Sequence, residues 1–169
     1  MFRLLAGGLG RETWRPHLGW LVAVPIDVEA QVVGDHGTAQ VFLWSSARIA
    51  GVPVAQLLAQ RGEKLADVRA QLEKDVRYAN ITIIEGHDAS QYGIGIVSAR
   101  IAEIVLGNEH AAIPIGSYQR AFGVTLSLPS IVGRHGIVSV LEPELTAEER
   151  AGLEKSAQTL RAALERVRG

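Results

Sequence analysis

Residues 28–53, VEAQVVGDHGTAQVFLWSSARIAGVP, decide how this chain is read. Val28, Ala30 and Val32 alternate with Glu29 and Gln31, the period-two pattern of a half-buried strand. That strand runs into Gly34-Asp35-His36-Gly37, and residues 41–44 read as the returning strand. A histidine is thereby placed at the tip of a rigid element, between two glycines and beside a carboxylate. Imidazole titrates near neutral pH and a neighbouring acid can shift it, so the position suits a proton-transfer group. On its own, such a tetrapeptide is more often a loop histidine facing solvent; the longer context has to decide.

Downstream of this stretch the pattern turns helical. Residues 53–60 read as a short helix with Pro53 at its first position, where proline is tolerated, and Gly62 breaks it. From Glu63 a long helix follows, with Leu65, Val68, Leu72, Val76, Ala79 and Ile83 at three- and four-residue steps, ending near Glu85-Gly86. A second helix begins around Ala89 and runs through Ile101, Ile104 and Val105 to Leu106, with Gly107 as its stop. The period then changes. Residues 112–118, 125–132 and 136–141 are short β-prone runs with Gly-rich turns between them, which predicts an antiparallel sheet.

The chain closes on a helix. Thr146 and Glu149 form a capping box, and Leu153, Ala157, Leu160, Leu164 and Val167 make one apolar stripe. That stripe predicts packing on the sheet or on a partner. Upstream, residues 2–9 read as a short helix and residues 11–19 as a loop. Trp14 and Trp20 are either core anchors or covers for another surface. The reading is therefore an uncertain N-terminal segment, residues 1–27, and one α+β domain, residues 28–169, with long helices packed on antiparallel sheet.

Composition narrows the function classes. With 169 residues, 47% of them hydrophobic, the chain can bury a core as one domain. Basic and acidic residues number 17 and 18, so nothing electrostatic points to nucleic acid or an anionic membrane. There is no cysteine, hence no disulfide framework and no thiolate chemistry. Histidines 17, 36, 87, 110 and 135 show no metal-binding spacing, so no metal site is expected. The apolar run 20–26 contains Pro25 and is too short to span a bilayer, and the start is too interrupted for a secretory signal. A soluble, cytoplasmic protein is expected.

Gly34-Asp35-His36-Gly37, then a strand, then Leu43-Trp44-Ser45-Ser46-Ala47 and Gly51-Val52-Pro53, resembles the active-site segment of the L-lactate/malate dehydrogenase family. The resemblance implies that His36 is the catalytic proton donor and acceptor. The family's usual run is Gly-Glu-His-Gly-Asp-Ser. Here Asp35 replaces Glu, and Thr38-Ala39 replace Asp-Ser, which takes polar groups away from beside the histidine.

A second segment, residues 76–95, is similar to the family over Val76, Arg77, Ala79, Ile83, Ile84, Gly86, Ala89, Tyr92, Gly93 and Ile94. The resemblance places the family's pocket-lining threonine on Ser90, implying substrate binding. It places the isoleucine that packs on the nicotinamide ring on Ile94, implying cofactor binding. Read from residue type alone, Ser90 is a helix N-cap and Ile94 a core residue. His87-Asp88 stands in place of the family's Lys-Gly and reads as a solvated turn pair. Residues 108–114, 129–136 and 145–149 look like the family's C-terminal scaffold, with His110 and His135 on the surface.

What the resemblance implies is the catalytic and substrate-binding half of an NAD-dependent L-2-hydroxyacid dehydrogenase. Its partners would be a small 2-hydroxy or 2-oxo acid and further copies of itself. The Gly-Asp-His-Gly and Trp-Ser-Ser features lean towards the lactate branch. No Gly-x-Gly-x-x-Gly follows a strand: Gly7, Gly8 and Gly10 have the wrong spacing, and Gly93 and Gly95 lie in a helical segment. The nucleotide-binding half, the orienting aspartate and the carboxylate-clamping arginine are expected to precede these residues. Phe2-Arg3 matches the end of the family's Arg-Phe-Arg run in one alignment; the other puts the pre-strand helix at residues 18–24. The alternative is a non-enzymatic remnant that self-associates or binds a partner through its exposed apolar face.

Overall fold

The computed structural model describes residues 28–37, 39–87 and 91–168, without the side chains of residues 79–91. The expectations for residues 1–27, Thr38, Asp88, Ala89 and Ser90 lie outside the described residues. In chain order the elements are β1 (Val28–Glu29), β2 (Val32–Gly34), β3 (Gln40–Phe42), β4 (Arg48–Ile49), β5 (Val52–Pro53), α1 (Val54–Gln60), α2 (Leu65–His87), α3 (Gln91–Gly107), β6 (Ala111–Gln119), β7 (Val124–Gly133), β8 (Gly136–Val140) and α4 (Ala147–Arg168). The strands form two sheets. One is three-stranded, β1-β4-β5; the other has the order β3-β2-β7-β6, with β8 also on β7. Every pairing is antiparallel, so the α+β expectation stands.

The single strand expected before the histidine is two. Val28 pairs with Ile49 in the small sheet, whereas Val32, Val33 and Gly34 pair with Phe42, Val41 and Gln40 in the large one. The chain changes sheet at Ala30-Gln31, and burial gives the reason. Val32 joins a core with Phe42, Trp44, Leu72 and Val76, on the side of α2. Val33 joins another with Val41, Leu43, Leu126, Leu128, Leu153 and Ala157, on the side of α4. Consecutive side chains of β2 thus enter different cores, and a strand buried on both faces loses the alternation that marks a half-buried one. The return strand ends at Phe42, although Leu43 still donates its N–H to the Gln31 carbonyl at 3.0 Å.

The β6-β7-β8 sheet follows the expected runs within a residue at each end, with Ala111↔Val132 through Gln119↔Val124 in continuous register. Helix boundaries differ in places: α2 starts at Leu65 rather than Glu63 and runs to His87, which is helical and not the first residue of a turn. Pro53 is the N-cap of α1, where its missing N–H costs nothing. Gly107 is the last helical residue of α3, and Asn108 takes the left-handed conformation at φ +50°. Asparagine tolerates that region, and here its Oδ1 also accepts the Arg134 N–H at 2.8 Å.

The capping box of α4 forms as read. Thr146 N–H donates to Glu149 Oε2 at 2.9 Å, and Glu149 N–H donates to Thr146 Oγ1 at 3.2 Å. The apolar stripe is used only over its first half. Leu153 and Ala157 are buried and Leu160 packs partly buried against the same core, while Leu164 and Val167 are exposed, Val167 by 85%.

Gly34 is required where α4 meets β2. Its φ is +94°, and a Cβ there would lie 2.6 Å from Ser156 Oγ, a buried hydroxyl on α4 with no room to retreat. Gly34→Ala is expected to destabilise the fold by about 2–3 kcal/mol, from backbone strain and overlap together. A urea titration of the two proteins measures it.

Candidate active-site hairpin

His36 sits in a bend just after β2, exposed to solvent. Its sequence neighbour goes the other way: Asp35 is buried, and its backbone N–H donates to Ser156 Oγ at 2.7 Å. Among the described residues no hydrogen bond joins Asp35 to the imidazole, and Asp35 Oδ1 is buried without a partner. The other flanking glycine is also a matter of space. A Cβ on Gly37 would approach Asp35 Oδ2 to 2.8 Å. The two glycines thus let the chain turn tightly over a buried acid while the histidine faces out.

The far end of the hairpin is held from both sides. On one side the Trp44 indole N–H donates to Glu73 Oε1 at 2.8 Å. Glu73 also pairs with Arg69 and Arg77, its neighbours four residues away on α2, at 3.3 Å each. Arg77 in turn donates to the Gln40 carbonyl at 3.3 Å and lies 5.3 Å over the Phe42 ring, so α2 braces β3 through a charge, a hydrogen bond and an aromatic face.

On the other side, Glu149 takes the Ser45 N–H on Oε1 at 3.0 Å and the Ser45 hydroxyl on Oε2 at 2.7 Å. One carboxylate therefore caps α4 and clamps the Trp-Ser-Ser segment. Its burial alone would raise the carboxyl's pKa, but the donors from Ser45 and Thr146 outweigh that and hold it below the usual carboxylate range. Arg69 reaches the neighbouring Glu148 with both terminal nitrogens, at 2.8 and 3.3 Å, and ties α2 to the start of α4. That hydrogen-bonded pair keeps the Glu148 carboxyl low as well.

Ile94 lies in the first turns of α3 and is 64% exposed, so its reading as a core residue fails. Tyr92 and Ile96 beside it are exposed too. Further along, α3 buries Ile104 against Val132 of β7, and β7 pairs with β2, so both predicted site elements border the same strand. Ser90 lies outside the described residues. His110 and His135 are exposed, as expected.

A surface recess of about 380 Å³ opens elsewhere, lined by Glu29, Glu142, Glu144, Ser46 and Pro129 among others. Its three carboxylates make it a poor receptor for an organic anion, and neither His36 nor Ile94 lines it. Among the described residues no three His, Asp or Glu side chains gather as a metal-binding group, and no helix is long and apolar enough to cross a membrane.

Glu73, Ser156 and the second role of Glu149 escape a sequence reading. Their partners lie 29, 121 and 104 residues away, and no local spacing marks them.

Comparison with known proteins places this geometry. Residues 21–168 match the lactate/malate dehydrogenase, alpha/beta C-terminal domain. The L-lactate dehydrogenase of Deinococcus radiodurans is 45% identical over 131 residues, covering 77% of this chain and 43% of that protein. That of Chloroherpeton thalassium is 40% identical over 144 residues, covering 85% and 47%. The chain thus spans about half the length of the curated relatives it matches. Among solved structures, Cryptosporidium parvum malate dehydrogenase superposes with a TM-score of 0.85 at 22% identity, over 95% of this chain and 53% of that one, a likeness of fold. The histidine turn, the Trp-Ser-Ser clamp and the matched residues lead to one conclusion: the chain belongs to the lactate/malate dehydrogenase family and carries its C-terminal domain.

Proposed function

We propose that this chain is the catalytic and substrate-binding half of an NAD-dependent L-2-hydroxyacid dehydrogenase, with His36 as its proton-transfer residue. One observation carries the reading: an exposed histidine stands on a hairpin anchored by a buried hydrogen bond at Asp35 and two partly buried ones at Ser45. A group that exchanges protons with a bound substrate needs that combination of access and fixed position. An imidazole nitrogen of His36 accepts the proton of the substrate hydroxyl as the hydride leaves the same carbon, and returns it in the reverse reaction. Ser90 supplies a hydroxyl to the substrate pocket.

The cofactor fits what α3 presents. Ile94 offers exposed apolar surface at the start of that helix, suited to the face of a nicotinamide ring. NAD, when bound, supplies the hydride acceptor. Relatives named L-lactate dehydrogenase support pyruvate and lactate as the substrate pair. We take residues 28–169 as the domain, preceded by an N-terminal segment, residues 1–27, whose last residues from 21 on already fall within the family match, and the protein as cytoplasmic.

NADH oxidation with pyruvate, oxaloacetate and longer 2-oxo acids tests the reading. Turnover with pyruvate foremost supports it. NADH and 2-oxo acids that neither bind nor react favour the non-enzymatic module instead.

Self-association is the further expectation. Tyr92, Ile96 and Leu106 of α3 are exposed apolar side chains, Tyr92 and Leu106 by about four-fifths. A surface of that kind is expected to be covered by another chain. Sedimentation velocity should show a dimer or larger species at micromolar protein, and Ile96→Glu should shift it towards monomer. A monomer at all concentrations contradicts the expectation.

A further inference from the structure

Two of the contacts that hold the histidine hairpin come from one helix. Glu149 and Ser156 lie seven residues apart on α4, two turns, and so project from the same side of it. Glu149 holds Ser45 beyond the return strand, and Ser156 holds the backbone of Asp35, the residue immediately before His36. Ser156 is fully buried, and its oxygen is the partner for an N–H that the turn would otherwise leave buried and unpaired. The contact admits no slack: Gly34 approaches the same hydroxyl so closely that no Cβ would fit between them.

We infer that Ser156 is a positioning residue for His36, fixing the histidine turn on the C-terminal helix through the Asp35 N–H. The inference rests on the reading of His36 as the proton-transfer group and adds to it a residue 120 positions away in sequence. Ser156 touches neither substrate nor cofactor in this scheme; it acts through the backbone. The hydroxyl serves as acceptor, so alanine removes the function with little change of volume, and cysteine keeps a weaker, bulkier acceptor on the same Cβ. Loss of one buried hydrogen bond predicts an effect on the order of tenfold on the local opening of the turn.

The experiment compares Ser156→Ala, Ser156→Cys and, as a control in the same helix, Leu153→Val. Amide hydrogen exchange of the whole chain is followed by NMR, and turnover of pyruvate with NADH is measured alongside. Ser156→Ala is expected to speed exchange of the Asp35 amide about tenfold beyond any change in the core of β7, with Ser156→Cys intermediate. Leu153→Val should raise exchange across α4 and β7 without singling out Asp35. In turnover, Ser156→Ala should lower kcat with KM nearly unchanged, and Ser156→Cys should recover part of it. Unchanged Asp35 exchange in Ser156→Ala, or equal acceleration by Leu153→Val, overturns the inference. A local rise in exchange with kcat intact overturns the positioning role, whereas a local rise in a chain that shows no turnover even in the parent supports the tether and overturns instead the role given to His36.

Discussion

His36→Ala is expected to lower turnover of 2-oxo acid by a factor on the order of 10² to 10⁴, the usual contribution of a positioned acid or base. The same variant should leave stability within about 0.5 kcal/mol of the parent, because the imidazole is exposed and among the described residues has no hydrogen-bonding partner. That pairing of a large kinetic effect with a negligible thermodynamic one distinguishes a working residue from a structural one. Steady-state kinetics and a urea titration on one preparation measure both. Turnover that survives in His36→Ala removes the histidine from the chemistry.

The largest effect on stability is expected at Glu149. Its carboxylate takes two bonds from Ser45 and two from Thr146, and it is only 6% exposed. Glu149→Ala leaves the Ser45 and Thr146 N–H groups without their acceptor and removes the cap of α4, at about 3 kcal/mol. Glu149→Gln keeps one acceptor oxygen and should cost roughly half of that.

The pH dependence has a definite sign. The folded state holds this carboxyl below its unfolded value of about 4.3, so its contribution is fully present above that pH. It is lost as pH falls through the folded value. The stability gap between parent and Glu149→Gln should therefore be constant from neutral pH down to about pH 5 and narrow below about pH 4. Urea midpoints measured across that range test it; a gap that widens on acidification contradicts the assignment of the clamp.

Much of the architecture is legible in the sequence because it rests on local signals. The three-four spacing of Leu65, Val68, Leu72 and Val76 marks α2, and Thr146 with Glu149 marks the start of α4. The histidine turn is visible through its two glycines, which have steric reasons in Asp35 and Ser156. What local signals cannot carry is the change of sheet at Ala30-Gln31, since Val32 and Val33 are both apolar and only tertiary packing says that each serves a different core. Ile94 shows the same limit from the other direction. An isoleucine in an apolar helix reads as core, yet it stands 64% exposed. The Trp-Ser-Ser segment is visible as a motif, but the reason for it, a serine seized by a capping glutamate 104 residues away, appears only in three dimensions.

Whether this domain is a competent catalytic half built around His36 can be read from an exchange with a relative. Residues 28–169 of this chain replace the matching part of the Deinococcus radiodurans L-lactate dehydrogenase, and NADH oxidation by pyruvate is measured with and without His36→Ala. A folded chimera is expected to reduce pyruvate and to lose at least about a hundredfold of that activity with the alanine. A folded chimera that binds NADH yet does not reduce pyruvate, or one indifferent to His36→Ala, would contradict that expectation.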